Sequence, residues 1–174
     1  MGICHQYLGN NEEAKKFLDE ALFIFENDPD YPAFDLAKKF QGIGNFYLDN
    51  YDSFRAELYY ESALNIFREI EGTEWRRFDI LNQFLIMSID FKKYELAEQY
   101  FEEALALSRE SEEAIDNYYL SLLYQNAGIA HFELGELDEV MKKSQVGLSL
   151  IDVSEYPILY SNALEKIAAI NGEK

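Results

Sequence analysis

Small and large apolar residues recur along the chain in a pattern that repeats four times. Each repeat holds a triplet at offsets of four and three: Ala14/Leu18/Ala21, Ala56/Tyr60/Ala63, Ala97/Phe101/Ala104 and Val140/Ser144/Gly147. The first members of successive triplets lie 42, 41 and 43 residues apart. Residues at i, i+4 and i+7 share one face of an α-helix. The triplets therefore predict four helices, each with small residues where another helix approaches closely.

A second set of positions lies upstream of the triplets and predicts a partner helix for each. Its members are Gly2, Gly44, Leu85 and Gly128, followed three residues later by His5, Tyr47, Ser88 and His131. The turn-like stretches LGNNEE, LDNYDS, DFKKYE and LGELDE then separate the two helices of each unit. The predicted helices span residues 11–27, 32–49, 52–70, 73–91, 94–109, 112–134, 137–151 and 155–171. Thr73 and Ser154 are the expected caps of their helices.

These repeated residues resemble the tetratricopeptide repeat family. The matching residues are Gly44, Tyr47, Ala56, Tyr60 and Ala63 in one unit, and Gly128, Gly135 and Leu137 in another. The resemblance implies an all-α fold, a right-handed superhelical array of antiparallel helix pairs with about eight or nine helices. It predicts a single array over residues 1–174, with units at about 1–28, 32–70, 73–110 and 112–152 and a half-unit at 155–171.

Both ends of the sequence interrupt the repeat. Residues 2–8 match only the last turns of a first helix, and LYSNALEKIAAING at the other end matches a first helix without its partner. We therefore expect a fragment of a longer protein, or ends that pair with another chain. The open face of the last helix, formed by Tyr160, Ala163, Leu164 and Ile167, is the predicted seam of a possible homodimer.

Charge and composition narrow the classes of function. The net charge of −18 disfavours direct contact with nucleic acid and with anionic membranes. Cys4 is the only cysteine, which excludes an internal disulfide and a four-cysteine zinc site. We find no signal peptide and no apolar run of membrane-spanning length, so the expected location is the cytoplasm.

His5 and His131 occupy the Tyr47 position of the repeat, where a core histidine with one hydrogen bond is expected. We expect no enzyme activity, no metal and no cofactor.

The remaining candidate for function is a groove lined by the first helix of each unit. Its predicted peptide-binding residues are five amides, Gln41, Asn45, Asn82, Gln125 and Asn126, and the apolar Ile86, Ile129 and Phe132. An amide side chain offers both a donor and an acceptor, which matches the needs of a peptide backbone. The alternative interpretation is that these amides are polar residues on solvated helix faces.

The long period, the amide-rich groove and the acidic charge resemble the peptide-sensing regulators of Gram-positive bacteria, of the Rap, NprR, PlcR and PrgX type. This resemblance implies a sensor domain for a short signalling peptide, hence a role in quorum sensing and transcription regulation. The output domain would lie outside this sequence. The alternative is a static scaffold that binds a protein partner and mediates assembly. The groove lacks the lysines and arginines with which related co-chaperones hold a peptide carboxylate.

Overall fold

A computed structural model describes Lys16, Glu20, Phe23 and Asp28 and residues 30–111 and 115–172. The chain divides into two compact units, Met1–Thr73 and Glu74–Lys174. Every regular element in the described residues is helical, which confirms the all-α prediction. The predicted first helix, at 11–27, lies outside the described ranges except for its isolated positions Lys16, Glu20 and Phe23.

The first unit contains one described helical hairpin, α1 (Ala33–Asp49) and α2 (Ser53–Arg68). One face of α1 is buried, and it includes Phe40, Ile43 and the repeat positions Gly44 and Tyr47. A Cβ atom on Gly44 would lie only 2.7 Å from the Tyr60 ring. Glycine at this position therefore allows the two helices to approach closely, as the repeat pattern predicts.

The second unit contains α3 (Glu74–Asp90), α4 (Tyr94–Glu110), α5 (Asn117–Glu133), α6 (Leu137–Ser149) and α7 (Pro157–Gly172). Helices α3 and α4 pack as one hairpin and α5 and α6 as the next, while α7 packs on α6 and α3 also contacts α5. The contact between α3 and α5 brings the first helices of two successive hairpins side by side. The small residue Gly147 again permits close packing, because a Cβ there would lie 3.3 Å from the backbone oxygen of Ser121.

The turns inside the three described hairpins share one backbone conformation. Tyr51, Lys92 and Gly135, which occupy the same repeat position, all have a positive φ, of 60°, 58° and 75°. The next residue of each turn donates its backbone N–H to the oxygen of Tyr47, Ser88 or His131, at 2.9, 2.8 and 2.9 Å. This left-handed turn ends each first helix, and the second helix begins two residues after the residue with positive φ.

Most helix bounds agree with the predicted ones to within two residues, with a larger difference at α5. That helix was expected from residue 112 but begins at Asn117, because the Asp116 carboxylate accepts the backbone N–H of Tyr118 at 2.7 Å and caps it there. The predicted cap Thr73 directly precedes α3. Thr73 is buried, with its hydroxyl 2.6 Å from the backbone oxygen of Phe67 at the end of α2.

Ser154, the other predicted cap, stabilises a tight turn instead of a helix end. Its backbone N–H and its hydroxyl both donate to one carboxylate oxygen of Asp152, at 2.7 and 2.6 Å. These two hydrogen bonds hold the pKa of the Asp152 carboxyl below its ordinary value. Helix α7 begins three residues later at Pro157, the first helical position that proline favours.

Candidate functional site

Two of the predicted groove amides meet in the second unit. The side-chain nitrogen of Asn126 on α5 donates to the side-chain oxygen of Asn82 on α3, at 3.1 Å. Both side chains are half-buried. This bond leaves the amide N–H₂ of Asn82 and the carbonyl oxygen of Asn126 without a partner among the described residues. The pair therefore presents one donor group and one acceptor side by side.

Apolar side chains lie on the same two helices as this amide pair. Ile86 follows Asn82 by one helical turn on α3, and Ile129 follows Asn126 by three residues on α5. Both isoleucines are half-buried, whereas Phe132 at the end of α5 is 46% exposed. Apart from Gln125, which is buried, five of the predicted residues thus lie on the adjacent helices α3 and α5. We call this set, Asn82, Asn126, Ile86, Ile129 and Phe132, the amide site.

The two predicted glutamines are placed differently from the asparagines. Gln41 and Gln125 are each only 4% exposed. Gln125 lies against α6, where a Cβ on Gly147 would be 3.6 Å from its Cγ, and its amide nitrogen donates to the Ser121 hydroxyl at 3.3 Å. The absence of a side chain at Gly147 leaves room for the glutamine at the helix contact. Both glutamines are thus part of the packed interior in this structure and do not present their amides at the surface.

Asn45 lies in the first unit and is exposed on α1. Its side-chain oxygen accepts a hydrogen bond of 2.7 Å from the Tyr60 hydroxyl on α2. This bond ties the asparagine acceptor to its own hairpin, and the amide N–H₂ is left without a partner among the described residues. Asn45 can therefore offer its N–H₂ group to a ligand, while its oxygen already accepts one hydrogen bond.

The sequence interpretation missed a charged cluster around the buried Lys143 in the second unit. Lys143 on α6 is buried, and its Nζ lies 2.9 Å from Glu98 Oε1 on α4 and 3.7 Å from the centroid of the Phe101 ring. Glu98 Oε2 lies 3.2 Å from His131 Nε2, and His131 Nδ1 lies 2.6 Å from Glu136 Oε2. The imidazole thus bridges two carboxylates, where one hydrogen bond was expected. Polar contacts of Glu98 with His131 and Lys143 link α4, α5 and α6.

One signal for this cluster was present in the repeat alignment. Lys143 occupies the repeat position of Tyr59 and Tyr100. Tyr59 stacks on Tyr47 with ring centroids 5.4 Å apart, and Tyr100 stacks on Phe84 at 5.1 Å. A lysine at an inward aromatic position requires a charge partner, because an unpaired buried ammonium is costly.

The described part of the chain shows neither a metal site nor a membrane-spanning helix. Within it, no group of three or more His, Cys, Asp or Glu side chains is arranged to hold a metal ion. None of the helices described has both the length and the apolar character needed to cross a membrane. The predicted dimer seam on α7 stays a prediction: Leu164 is exposed there, while the side chain of Ala163 lies outside what the structure describes.

Comparison with known proteins supports this architecture. Residues 86–111, which hold the last turn of α3 and all of α4, match the family model of the tetratricopeptide repeat. No curated protein matches the sequence. The crystal structure of BtubC (BKLC) from P. vanneervenii is similar with a TM-score of 0.80 and 20% identity, over 97% of this chain and 68% of that one.

The crystal structure of the apo form of RapI is also similar, with a TM-score of 0.75 and 20% identity. The alignment covers 96% of this chain and 47% of RapI, so the chain spans about half the length of that protein. At this identity the likeness shows the fold alone, and it confirms the Rap-type resemblance at that level. With the repeat match, it supports a helical repeat fold. The chain carries a tetratricopeptide repeat within an all-α array of helical hairpins.

Proposed function

We propose that this chain binds an extended peptide at the amide site, through the backbone of that peptide. The observation that carries the proposal is the Asn82–Asn126 pair, with its unused donor group beside its unused acceptor. A peptide bond leaving water needs one acceptor for its N–H and one donor for its carbonyl oxygen. The pair supplies both from a rigid position, because each asparagine is fixed by the other.

The neighbouring apolar side chains supply the second part of the recognition. Apolar side chains of the peptide would contact Ile86, Ile129 and Phe132. This contact removes apolar surface from water and adds to the affinity of the backbone hydrogen bonds. Hydrogen bonds to the peptide backbone contribute affinity but do not distinguish one peptide sequence from another. Selectivity would therefore come from the three apolar side chains. The net charge of −18 favours a basic or neutral peptide over an acidic one.

We further propose that the module is the sensor part of a cytoplasmic regulator that responds to a short signalling peptide. The resemblance to the Rap-type regulators and the fold likeness to RapI support this assignment. The output would then belong to a part of the protein outside this sequence. A static scaffold for protein assembly is the alternative, and it would not depend on the amide pair.

The test uses short peptides selected for binding from a random displayed library, with affinity measured by calorimetry. Asn82→Asp keeps the oxygen that accepts from Asn126 and removes the unused donor. We expect this variant to bind the selected peptide about tenfold more weakly, because one buried carbonyl of the peptide loses its partner. Its thermal stability should stay unchanged.

Asn65→Asp is the matched control, since Asn65 is an exposed asparagine on α2 and the charge change is the same. It should leave peptide affinity unchanged. Equal affinity in Asn82→Asp and in the parent would show that the peptide is held elsewhere. In that case the scaffold becomes the leading interpretation.

A further inference from the structure

Three large apolar side chains lie exposed together at the start of α2 in the first unit. Tyr51 is 96% exposed in the turn before the helix, Phe54 is 78% exposed in its first turn, and Leu58 is 53% exposed one turn later. Phe54 and Leu58 are four residues apart and share one face of the helix. We call Tyr51, Phe54 and Leu58 the apolar face of α2.

The other two hairpins show that this position in the repeat does not itself require apolar residues. The equivalent residues are Lys92, Glu95 and Gln99 in one hairpin and Gly135, Asp138 and Lys142 in the next, and all six are exposed. The fold thus places these positions in solvent in all three described hairpins. Only one of the three carries large apolar residues there, so packing of the hairpin does not explain them.

Acidic side chains border the apolar face. Glu57 follows Phe54 by three residues and Glu61 follows Leu58 by three, and neither pairs with a cation among the described residues. Arg55, the next residue after Phe54, is already paired with Asp52, and its guanidinium carbon lies 5.4 Å from the centroid of the Tyr47 ring. The surface is therefore an apolar centre with a negatively charged edge.

We propose that the apolar face of α2 is a docking site for a basic amphipathic helix of a partner protein. The apolar side of that helix would cover Phe54 and Leu58, and its lysines or arginines would pair with Glu57 and Glu61. A second copy of this chain is disfavoured as the occupant, because each copy carries a charge of −18. This interaction uses different residues from the amide site and does not depend on peptide sensing.

The repeat itself supplies the variant for the test. Tyr51→Lys, Phe54→Glu and Leu58→Gln together install the residues that the next hairpin carries at these positions. Tyr51→Lys adds a positive charge and Phe54→Glu a negative one, so the net charge of −18 is preserved. Phe91→Asn is the matched control, because Phe91 is an exposed aromatic whose equivalent in the first unit is Asn50. Phe54→Glu alone serves if the triple variant does not fold.

The probe is a designed helix of about 18 residues with leucines on one face and lysines on the other. Its affinity is measured by fluorescence anisotropy at about 0.15 M salt. We expect the triple variant to bind it at least about tenfold more weakly than the parent, with no change for Phe91→Asn. The same helix with glutamates in place of the lysines should bind the parent at least about tenfold more weakly.

Equal affinity of the lysine helix for the parent and the triple variant would overturn the proposal. So would equal binding of the glutamate helix, since the partner would then not be basic. Loss of self-association in the triple variant, seen by sedimentation, would assign the face to a second copy. A large drop in melting temperature in both the triple variant and Phe54→Glu would assign it to a contact within this chain. Each of these last two results also overturns the proposal.

Discussion

At the scale of single residues, Lys143 shows how a charge is accommodated inside a helix contact. The ammonium group of Lys143 loses most of its contact with water. In its place, the Glu98 carboxylate lies at 2.9 Å and the centroid of the Phe101 ring at 3.7 Å. Glu98 is itself held by His131 on its other oxygen. The charged cluster therefore replaces the aromatic stacking that Tyr59 and Tyr100 provide at the same repeat position.

This arrangement predicts strong coupling between Lys143 and Glu98. In a double-mutant cycle with Lys143→Met and Glu98→Gln, we expect a coupling energy of about 1–3 kcal/mol in the free energy of unfolding. The measurement is denaturation in urea of the parent, the two single variants and the double variant. The exposed Lys142–Glu139 pair at 3.3 Å is the matched control, with an expected coupling of at most about 0.5 kcal/mol. Equal coupling for both pairs would contradict the structural importance of the buried one.

At the scale of elements, the recurring unit is a first helix, a left-handed turn and a second helix. The turn requires a positive φ at one position, which glycine adopts without cost and other residues do not. Gly135 meets this requirement, whereas Tyr51 and Lys92 adopt the same conformation with a side chain. Two of the three described turns are therefore held in place by the packing of the helices on either side.

Glycine at this turn position should stabilise the hairpin formed by α3 and α4. We expect Lys92→Gly to raise the free energy of unfolding by about 0.5–1 kcal/mol, because the strain of a positive φ is removed. Lys92→Ala keeps that strain and should change stability by less than about 0.5 kcal/mol. Gly135→Ala introduces the strain and should cost about 1 kcal/mol. Urea denaturation tests all three, and a destabilising Lys92→Gly would show that Lys92 contributes contacts beyond the turn.

The helical elements were predictable because their signal is repeated, whereas parts of the candidate site were not. The spacing placed Gly44 and Tyr60 at repeated positions of two paired helices, and in the structure a Cβ on Gly44 would lie 2.7 Å from the Tyr60 ring. Gln125 lies on the same face of its helix as other predicted groove residues, so the spacing predicts that it is accessible. Its burial depends on the small Gly147 on a different helix, which the spacing within α5 does not show. The cap at Asp116 was overlooked, since acids at residues 112 and 113 resemble a first helical turn equally well.

At the scale of the whole molecule, the described hairpins repeat one packing scheme and vary the residues on their outer surfaces. A single hairpin cannot bury its apolar face alone, and successive copies solve this by stacking. The repeat positions in the interior stay small or aromatic, while the solvent-facing positions are free to acquire function. The amide site and the apolar face of α2 are two such variations, one in each unit.

The central claim is that the paired amides of Asn82 and Asn126 hold a peptide backbone. The most direct measurement is NMR of the side-chain N–H₂ signals in protein labelled with ¹⁵N-asparagine, during titration with a selected peptide. We predict that the signals of Asn82 and Asn126 shift together and saturate with the calorimetric affinity, while the signal of Asn65 does not move. Saturation by the peptide with both signals unchanged would contradict the claim.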